Sequence, residues 1–240
     1  MSRARRSTRH GKRGLSPLTV VGIVLLVLGV GCLGWVGYQF FGTNLVAQQA
    51  YSQEKDSLKA RWQQEAAPSA SPSASSKKST PKAKEPNGRS LPGDAIGLLR
   101  IPAFGSDYEV PILSGTDLDI LSRGVGHYTS TALPGQVGNF AVAGHRVTHG
   151  QPFSRLLELD KGDEAIVETR DSIFTYVIDA PPRSLTVQPT ASWVLDPVPG
   201  EPAATPPTRA LLTLTTCQDL FHSPDRSIGF AHLASTKNKG

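Results

Sequence analysis

The chain has 240 residues, enough for one domain of ordinary size with appended segments; 38% are hydrophobic and 19% charged, so a core is possible. Its 23 glycines and 19 prolines suit a loop-rich β protein better than a helical bundle, and two cysteines exclude a disulfide-rich scaffold or a structural zinc site. The net charge of +5 is misleading, because residues 1–14 carry six Lys+Arg and no acid, whereas residues 91–233 carry 9 Lys+Arg against 16 Asp+Glu, a net of −7 that disfavours a nucleic-acid-binding domain.

A basic arm occupies residues 1–17, and residues 18–41 (LTVVGIVLLVLGVGCLGWVGYQFF) follow without one charge. At ~1.5 Å per residue a helix of that length spans a hydrocarbon core of ~30 Å with some tilt. Trp35, Tyr38, Phe40 and Phe41 gather at its far end, where amphipathic rings favour the interface. A cleaved secretory signal has a shorter apolar run and a small-residue exit, so the sequence reads as a retained single-pass anchor. Cations before the span and none just after it place the N-terminus in the cytoplasm and the rest outside.

Residues 42–93 divide in two. The first part, TNLVAQQAYSQEKDSLKARWQQE, is polar and rich in helix formers, and is expected to continue as a helix beyond the bilayer. The second, residues 66–93, is dominated by Ser, Pro, Ala and Lys, and cannot bury enough surface to offset its ordering entropy. It reads as a tether able to stretch to about 90 Å and averaging roughly 30 Å.

Residues 94–233 are expected to form one all-β domain, with a polar tail at 234–240. Short apolar runs recur at 96–101, 108–113, 139–143, 165–169, 174–178, 185–187, 193–195, 211–216 and 228–233, between Gly, Pro and Asp punctuation. Such spacing argues for a sandwich or barrel. Two stretches, 117–123 and 153–159, read as short helices.

Cys217 ends the strand LLTLTT, sharing its face with Thr215 and Thr213 by strand alternation. Most free cysteines are small buried hydrophobes. An unpaired thiol in an exported domain, with Cys32 confined to the membrane span, is nevertheless a candidate nucleophile. His145 leaves the strand 139–143 in the run Gly-His-Arg, and Arg226 opens the last strand nine residues after Cys217. If those last two strands pair, a guanidinium lies close to the thiol, where it can stabilise a thiolate or an oxyanion. Alone, His145 reads as structural or solvated and Arg226 as a strand-edge cation. His145 and His149 also have i,i+4 spacing, but Gly150 and Pro152 favour a loop over a helical zinc site, and no calcium loop or cofactor motif is evident. His127, His222 and His232 read as structural or solvated, although His127 or Tyr128 could line a cleft; Trp193 and Phe221 read as packing residues.

TLTTC at 213–217, GHR at 144–146 and Arg226 nine residues after the cysteine, in that order, resemble the sortase family, the membrane-anchored cysteine transpeptidases of Gram-positive surfaces. GDAIGLLRIP (93–102), GHYTSTALPGQVGNFAVAGHR (126–146), VLDPVP (194–199) and LLTLTTC (211–217) most resemble the class E group of actinobacteria. The resemblance covers about residues 94–233. It implies an eight-stranded β-barrel with a few short helices. It also implies Cys217 as nucleophile, His145 as general acid/base and Arg226 as stabiliser of the oxyanion or substrate carbonyl. His149, Thr215 and Thr216 become candidate substrate-binding positions. The implied partners are exported proteins with a C-terminal LPXTG- or LAXTG-like signal, cleaved between Thr and Gly, and an amine of a peptidoglycan precursor. No cofactor, metal or nucleic acid is implied. The class E pattern carries Tyr in the loop after Gly-His-Arg, linked to choice of Ala over Pro in the signal; this chain has His149 there. Two other readings share the anchor and barrel: a pilin-polymerising sortase with a Lys acceptor, and a non-enzymatic tethered β-domain that binds a surface partner.

Overall fold

The computed structural model describes residues 16–38, 42–66, 90–217 and 224–239, with the backbone alone at residue 217. The basic arm up to residue 15, Phe40 and Phe41, the tether from 67 to 89, Phe221 and His222 lie outside the described residues.

Helix α1 (Pro17–Gly37) starts as its sequence dictates. The Ser16 side chain caps it by accepting from the Thr19 amide at 3.2 Å, and Pro17 occupies the first turn, where no N–H is needed. It is apolar all round and buries no residue. At ~1.5 Å per residue its 21 residues reach about 32 Å, the thickness of a bilayer core. Among the described residues it is the one helix long and apolar enough to cross a membrane.

Helix α2 (Thr43–Ala66) follows, and it packs on the β domain. Ala47, Tyr51 and Leu58 are buried, and Trp62 packs beside them. Spacings of four and seven residues place these side chains on one stripe of the helix.

Strands β1 (Ala95–Arg100), β2 (Val110–Ser114), β3 (Val125–His127), β4 (Gly138–Ala143), β5 (Glu164–Glu168), β6 (Ser172–Ala180), β8 (Ala210–Cys217) and β9 (Arg226–Asn238) close into a barrel in the order β6-β5-β1-β2-β3-β4-β8-β9, with β9 pairing back to β6. A two-residue strand, β7 (Thr186–Val187), adds to the start of β9. The expected eight-stranded barrel is therefore present, and closure leaves no long unpaired edge among these eight strands. Pairing is antiparallel except at β2–β3 and β4–β8. The short helix α3 (Leu118–Leu121) lies on the way from β2 to β3.

Side chains fill the barrel in alternation. Phe140 and Val142 of β4, Leu212 and Leu214 of β8, and Tyr176 and Ile178 of β6 are fully buried in one core. Each such aliphatic contributes on the order of 1.5–3 kcal/mol through burial. β1 departs from alternation: Leu99 enters this core, while Leu98 is equally buried on the outer face with Leu58, Leu113 and Ile120.

Four local expectations are corrected. Residues 193–195 are not a strand but part of a 3-10 turn, Ser192–Leu195, closed by the Asp196 amide on the Trp193 carbonyl. The stretch 153–159 is a series of tight turns ending in the 3-10 turn Leu156–Glu158, not a two-turn helix. Phe153, Leu156 and Leu159 are all fully buried, and their spacing of three matches the three-residue repeat of that turn. β3 escaped detection because it is three residues long and contains a glycine. The tail through Asn238 extends β9, with Thr236 opposite Phe174 and Asn238 opposite Ser172; backbone pairing there needs no apolar side chain.

Candidate active site

The site is built at the C-terminal end of β8. β8 and β9 are antiparallel, and their register puts Cys217 directly opposite Arg226. Opposite residues in such a ladder share a face, so positions 217 and 226 belong to the outer face that carries Thr213 and Thr215 opposite Phe230 and Ile228.

His145 arrives at the same end from β4. β4 is parallel to β8, with Ala143 beside Thr215. Beyond the strand the pairing continues through one more residue: the Gly144 amide donates to the Thr215 carbonyl at 3.1 Å, and the Thr216 hydroxyl donates to the Gly144 carbonyl at 2.9 Å. Gly144 is thus held from both sides immediately before His145. A Cβ at Gly144 would lie 2.6 Å from the Phe153 ring, so only glycine allows this approach. The Phe153 amide in turn donates to the His145 carbonyl at 3.0 Å.

The imidazole of His145 is half-buried, and its Nε2 is buried without a hydrogen-bond partner among the described residues. Its ring stacks on that of His149 at 4.8 Å between centroids, 29° apart. Burial, then the charge of His149, then that of Arg226, disfavour imidazolium and push the pKa of His145 down to about 4. The register that sets position 226 opposite 217, and the bonds from Gly144 to Thr215 and Thr216, bring Arg226 and His145 to the same end of β8. Arg226 is itself aimed by its own turn: Nη1 donates to the Pro224 carbonyl at 2.5 Å and to the Asp225 carbonyl at 3.3 Å.

The loop after His145 has unusual backbone. His149 and Gln151 are the non-glycine residues with positive φ among those described, at 53° and 50°, and Gly150 between them has φ 78°. Such geometry costs on the order of 1–3 kcal/mol per non-glycine residue and persists where surroundings hold it. Here the Thr148 carbonyl accepts from the Gln151 amide at 3.1 Å, and the Tyr108 hydroxyl donates to the Pro152 carbonyl at 2.7 Å. Helix α2 supplies two more ties: the Tyr51 hydroxyl to the His149 carbonyl at 2.7 Å, and the Gly150 amide to Asn44 Oδ1 at 2.9 Å. The His145–His149 pair therefore sits on a loop, not a helix.

The other expected residues separate cleanly. Thr215 and Thr216 are buried, and Thr216 spends its hydroxyl on Gly144. The neighbouring Thr213 donates to Asn139 Oδ1 at 2.8 Å, and Asn139 Nδ2 donates to the Val194 and Asp196 carbonyls at 3.0 and 3.1 Å. This pins the 188–209 segment against the β4–β8 face. His127 is buried, packs on Phe140 and bonds the Ala132 carbonyl at 3.0 Å, burial lowers its pKa, and it also lines a cavity with Ser90, Ser114 and Thr131. His232 pairs with Asp179 at 2.9 Å, and Trp193 lies against Phe230. Sequence reasoning missed Gly144 as a fixed point and the two α2 residues. The available signal for the first was Gly at the end of a strand directly before His; for the second, the polar helix carried a stripe of Ala47, Tyr51, Leu58 and Trp62.

Several known proteins are similar to this chain. A sortase-domain family model matches residues 99–234. The chain is 36% identical over 238 residues to Sortase SrtE1 of Streptomyces coelicolor, covering 94% of this chain and 60% of that protein, so it spans less than two thirds of that relative's length. The structure of sortase E from Streptomyces avermitilis is 42% identical, with TM-score 0.55 over 62% of this chain and 93% of that one. The structure of Sortase E1 from Streptomyces coelicolor, described with a tripeptide in the active site, is 37% identical, with TM-score 0.53 over 61% of this chain and 91% of that one. The family match, sequence identity and structural likeness converge: the chain belongs to the sortase family and is most like its class E members.

Proposed function

We propose that the protein is a membrane-anchored transpeptidase in which Cys217 attacks an LPXTG- or LAXTG-like sorting signal and transfers the signal-bearing protein to an amine of a cell-wall precursor. The observation that carries this reading is the convergence of positions 145, 217 and 226 on one end of β8. In this reading helix α1 is the anchor, with the N-terminus in the cytoplasm and the barrel outside.

A free thiol with its usual pKa of ~8.5 is only a few per cent ionised at neutral pH, and needs a base at hand. With its pKa held down to about 4, His145 is neutral at pH 7 and available to take the proton of Cys217. The sulfur then adds to the Thr carbonyl carbon of the signal, and the carbonyl oxygen gains negative charge. Arg226, opposite Cys217 in the ladder and with Nη1 engaged by backbone carbonyls, offers its remaining N–H groups to that oxygen. Collapse breaks the Thr–Gly C–N bond, and His145 delivers to the departing Gly amine the proton taken from the thiol. A thioester remains. The acceptor amine adds to it, gives its proton to His145, and forms the new amide as sulfur leaves and is reprotonated. The proton account closes on one imidazole, whose low pKa makes it a strong acid once charged.

The test uses the full chain in detergent or nanodiscs, incubated with LAXTG- and LPXTG-containing peptides and an amine, and read by mass spectrometry. Cleavage between Thr and Gly, amine-ligated product and a thioacyl adduct on Cys217 are expected, all lost in Cys217→Ala. Peptides left intact, or turnover surviving in Cys217→Ala, would remove the assignment.

A further inference from the structure

Helix α2 grips the candidate active site. Its buried stripe seats Leu58 against Leu98 and Leu113, and ion pairs fasten its flanks: Lys59 to Glu109 at 2.8 Å, Glu65 to Arg170 at 2.7 Å, and Glu54 to Arg123. Toward its N-terminal end Ala47 and Tyr51 enter the main core, and the same face meets the loop after His145. Asn44 accepts the Gly150 amide, and Tyr51 donates to the His149 carbonyl. The Tyr51 ring also closes over Gly150, where an added Cβ would come within 2.9 Å of it. These contacts fall on consecutive residues in the left-handed region, and the first of them carries the ring stacked on His145.

We propose that Asn44 and Tyr51 are positioning residues, through which helix α2 clamps the left-handed loop and holds His149 against His145. The proposal rests on reading His145 as the acid/base. It changes the role of the segments before the barrel. Thr43 begins α2 only six residues after Gly37 ends α1, so the clamp lies at the end of α2 nearest the membrane span. The candidate active site is thereby tied directly to the helix that follows α1 in the chain.

The test uses the full chain in nanodiscs with Tyr51→Phe, Asn44→Ala and Asn44→Asp, the last keeping an acceptor oxygen. Three quantities are read: kcat and KM with a signal peptide, amide hydrogen exchange over 148–151, and Tm. Tyr51→Phe and Asn44→Ala should speed exchange of the Gly150 region at least about tenfold and lower kcat by about tenfold with KM little changed, because misplacing a reacting group acts mainly on the chemical step. Asn44→Asp should restore protection of Gly150. Unchanged exchange and kcat would overturn the clamp, as would a kcat loss that merely follows Tm, with Asn44→Asp no better than Asn44→Ala. A wild-type chain without transpeptidation would overturn the reading of the site, and the exchange measurement would still decide whether α2 holds the loop.

Discussion

The Thr216 hydroxyl donates to the carbonyl of Gly144 at 2.9 Å, joining the residue before Cys217 to the residue before His145. Both partners are main-chain neighbours of proposed catalytic groups, so this bond, with the Gly144 amide on the Thr215 carbonyl, fixes how the ends of β4 and β8 meet. Thr216→Val keeps shape and burial but leaves a carbonyl without its donor, at a cost of ~1–3 kcal/mol. We expect a lower Tm and a lower kcat, measured by calorimetry and by peptide turnover. Wild-type values for both would show that backbone pairing between Gly144 and Thr215 suffices.

The depressed pKa of His145 predicts a pH-dependent stability. The native imidazole stays neutral down to about pH 4, whereas the unfolded one protonates near 6.5. The unfolded state therefore binds more protons between those values. The stability tied to a neutral His145 is intact above pH 6.5, declines as pH falls from 6.5 toward 4, and changes no further below that. His145→Asn should flatten this part of the Tm–pH curve relative to wild type. Parallel curves for the two proteins would show that the imidazole titrates normally. Histidines away from this ring, such as buried His127, contribute equally to both curves and cancel in the comparison.

Much of this architecture was readable because strand alternation and turn residues act locally. Leu212 and Leu214 face the core while Thr213 and Thr215 face outward, and that pattern is written in LLTLTTC itself. The Cys217–Arg226 pairing followed from the short connection between two β runs. What escaped depended on distant partners. The 193–195 stretch has the apolar content of a strand, but its conformation is set by Asn139 and Thr213 holding the carbonyl of Val194 from another part of the chain. The docking of α2 was also hidden, since a polar helix after a membrane span reads as solvent-exposed. One local clue existed: β1 reads AIGLLR, with adjacent leucines where a one-sided strand alternates, and a strand apolar on both faces requires a cover. Tyr51 and Asn44 could not be linked to His149 and Gly150 across about a hundred residues by any such rule.

Orientation is tested on cells. The basic arm before α1 predicts a cytoplasmic N-terminus and an external barrel. Protease added to intact protoplasts should digest the barrel and leave a small fragment containing α1. Complete protection of the barrel would reverse the orientation.

Selectivity is expected to depend on the loop held by α2. The resemblance to class E implies a Tyr at the position of His149, whose ring lies on that of His145. Discrimination between Ala and Pro at the second position of the signal should be weaker than a Tyr gives. His149→Tyr should sharpen it, read as the ratio of kcat/KM for LAXTG and LPXTG peptides. An unchanged ratio would show that this loop does not read that position.

The roles of His145 and Arg226 separate by substitution. His145→Ala removes the proton carrier of both half-reactions, and general acid/base catalysis typically supplies ~10²–10⁴-fold. Arg226 acts through charge and donor geometry, and loss of one oxyanion donor commonly costs about 10²–10³ in kcat. Arg226→Lys keeps the charge but not the planar fork, part of which is already engaged with the Pro224 and Asp225 carbonyls. It should therefore recover only part of the activity lost in Arg226→Ala. The pH profile provides a second readout. Arg226 is one of the groups that lower the His145 pKa, so Arg226→Ala should move the acidic limb of kcat/KM upward in pH, and Arg226→Lys should move it less. Full activity and an unmoved limb in Arg226→Ala would assign oxyanion stabilisation to another group.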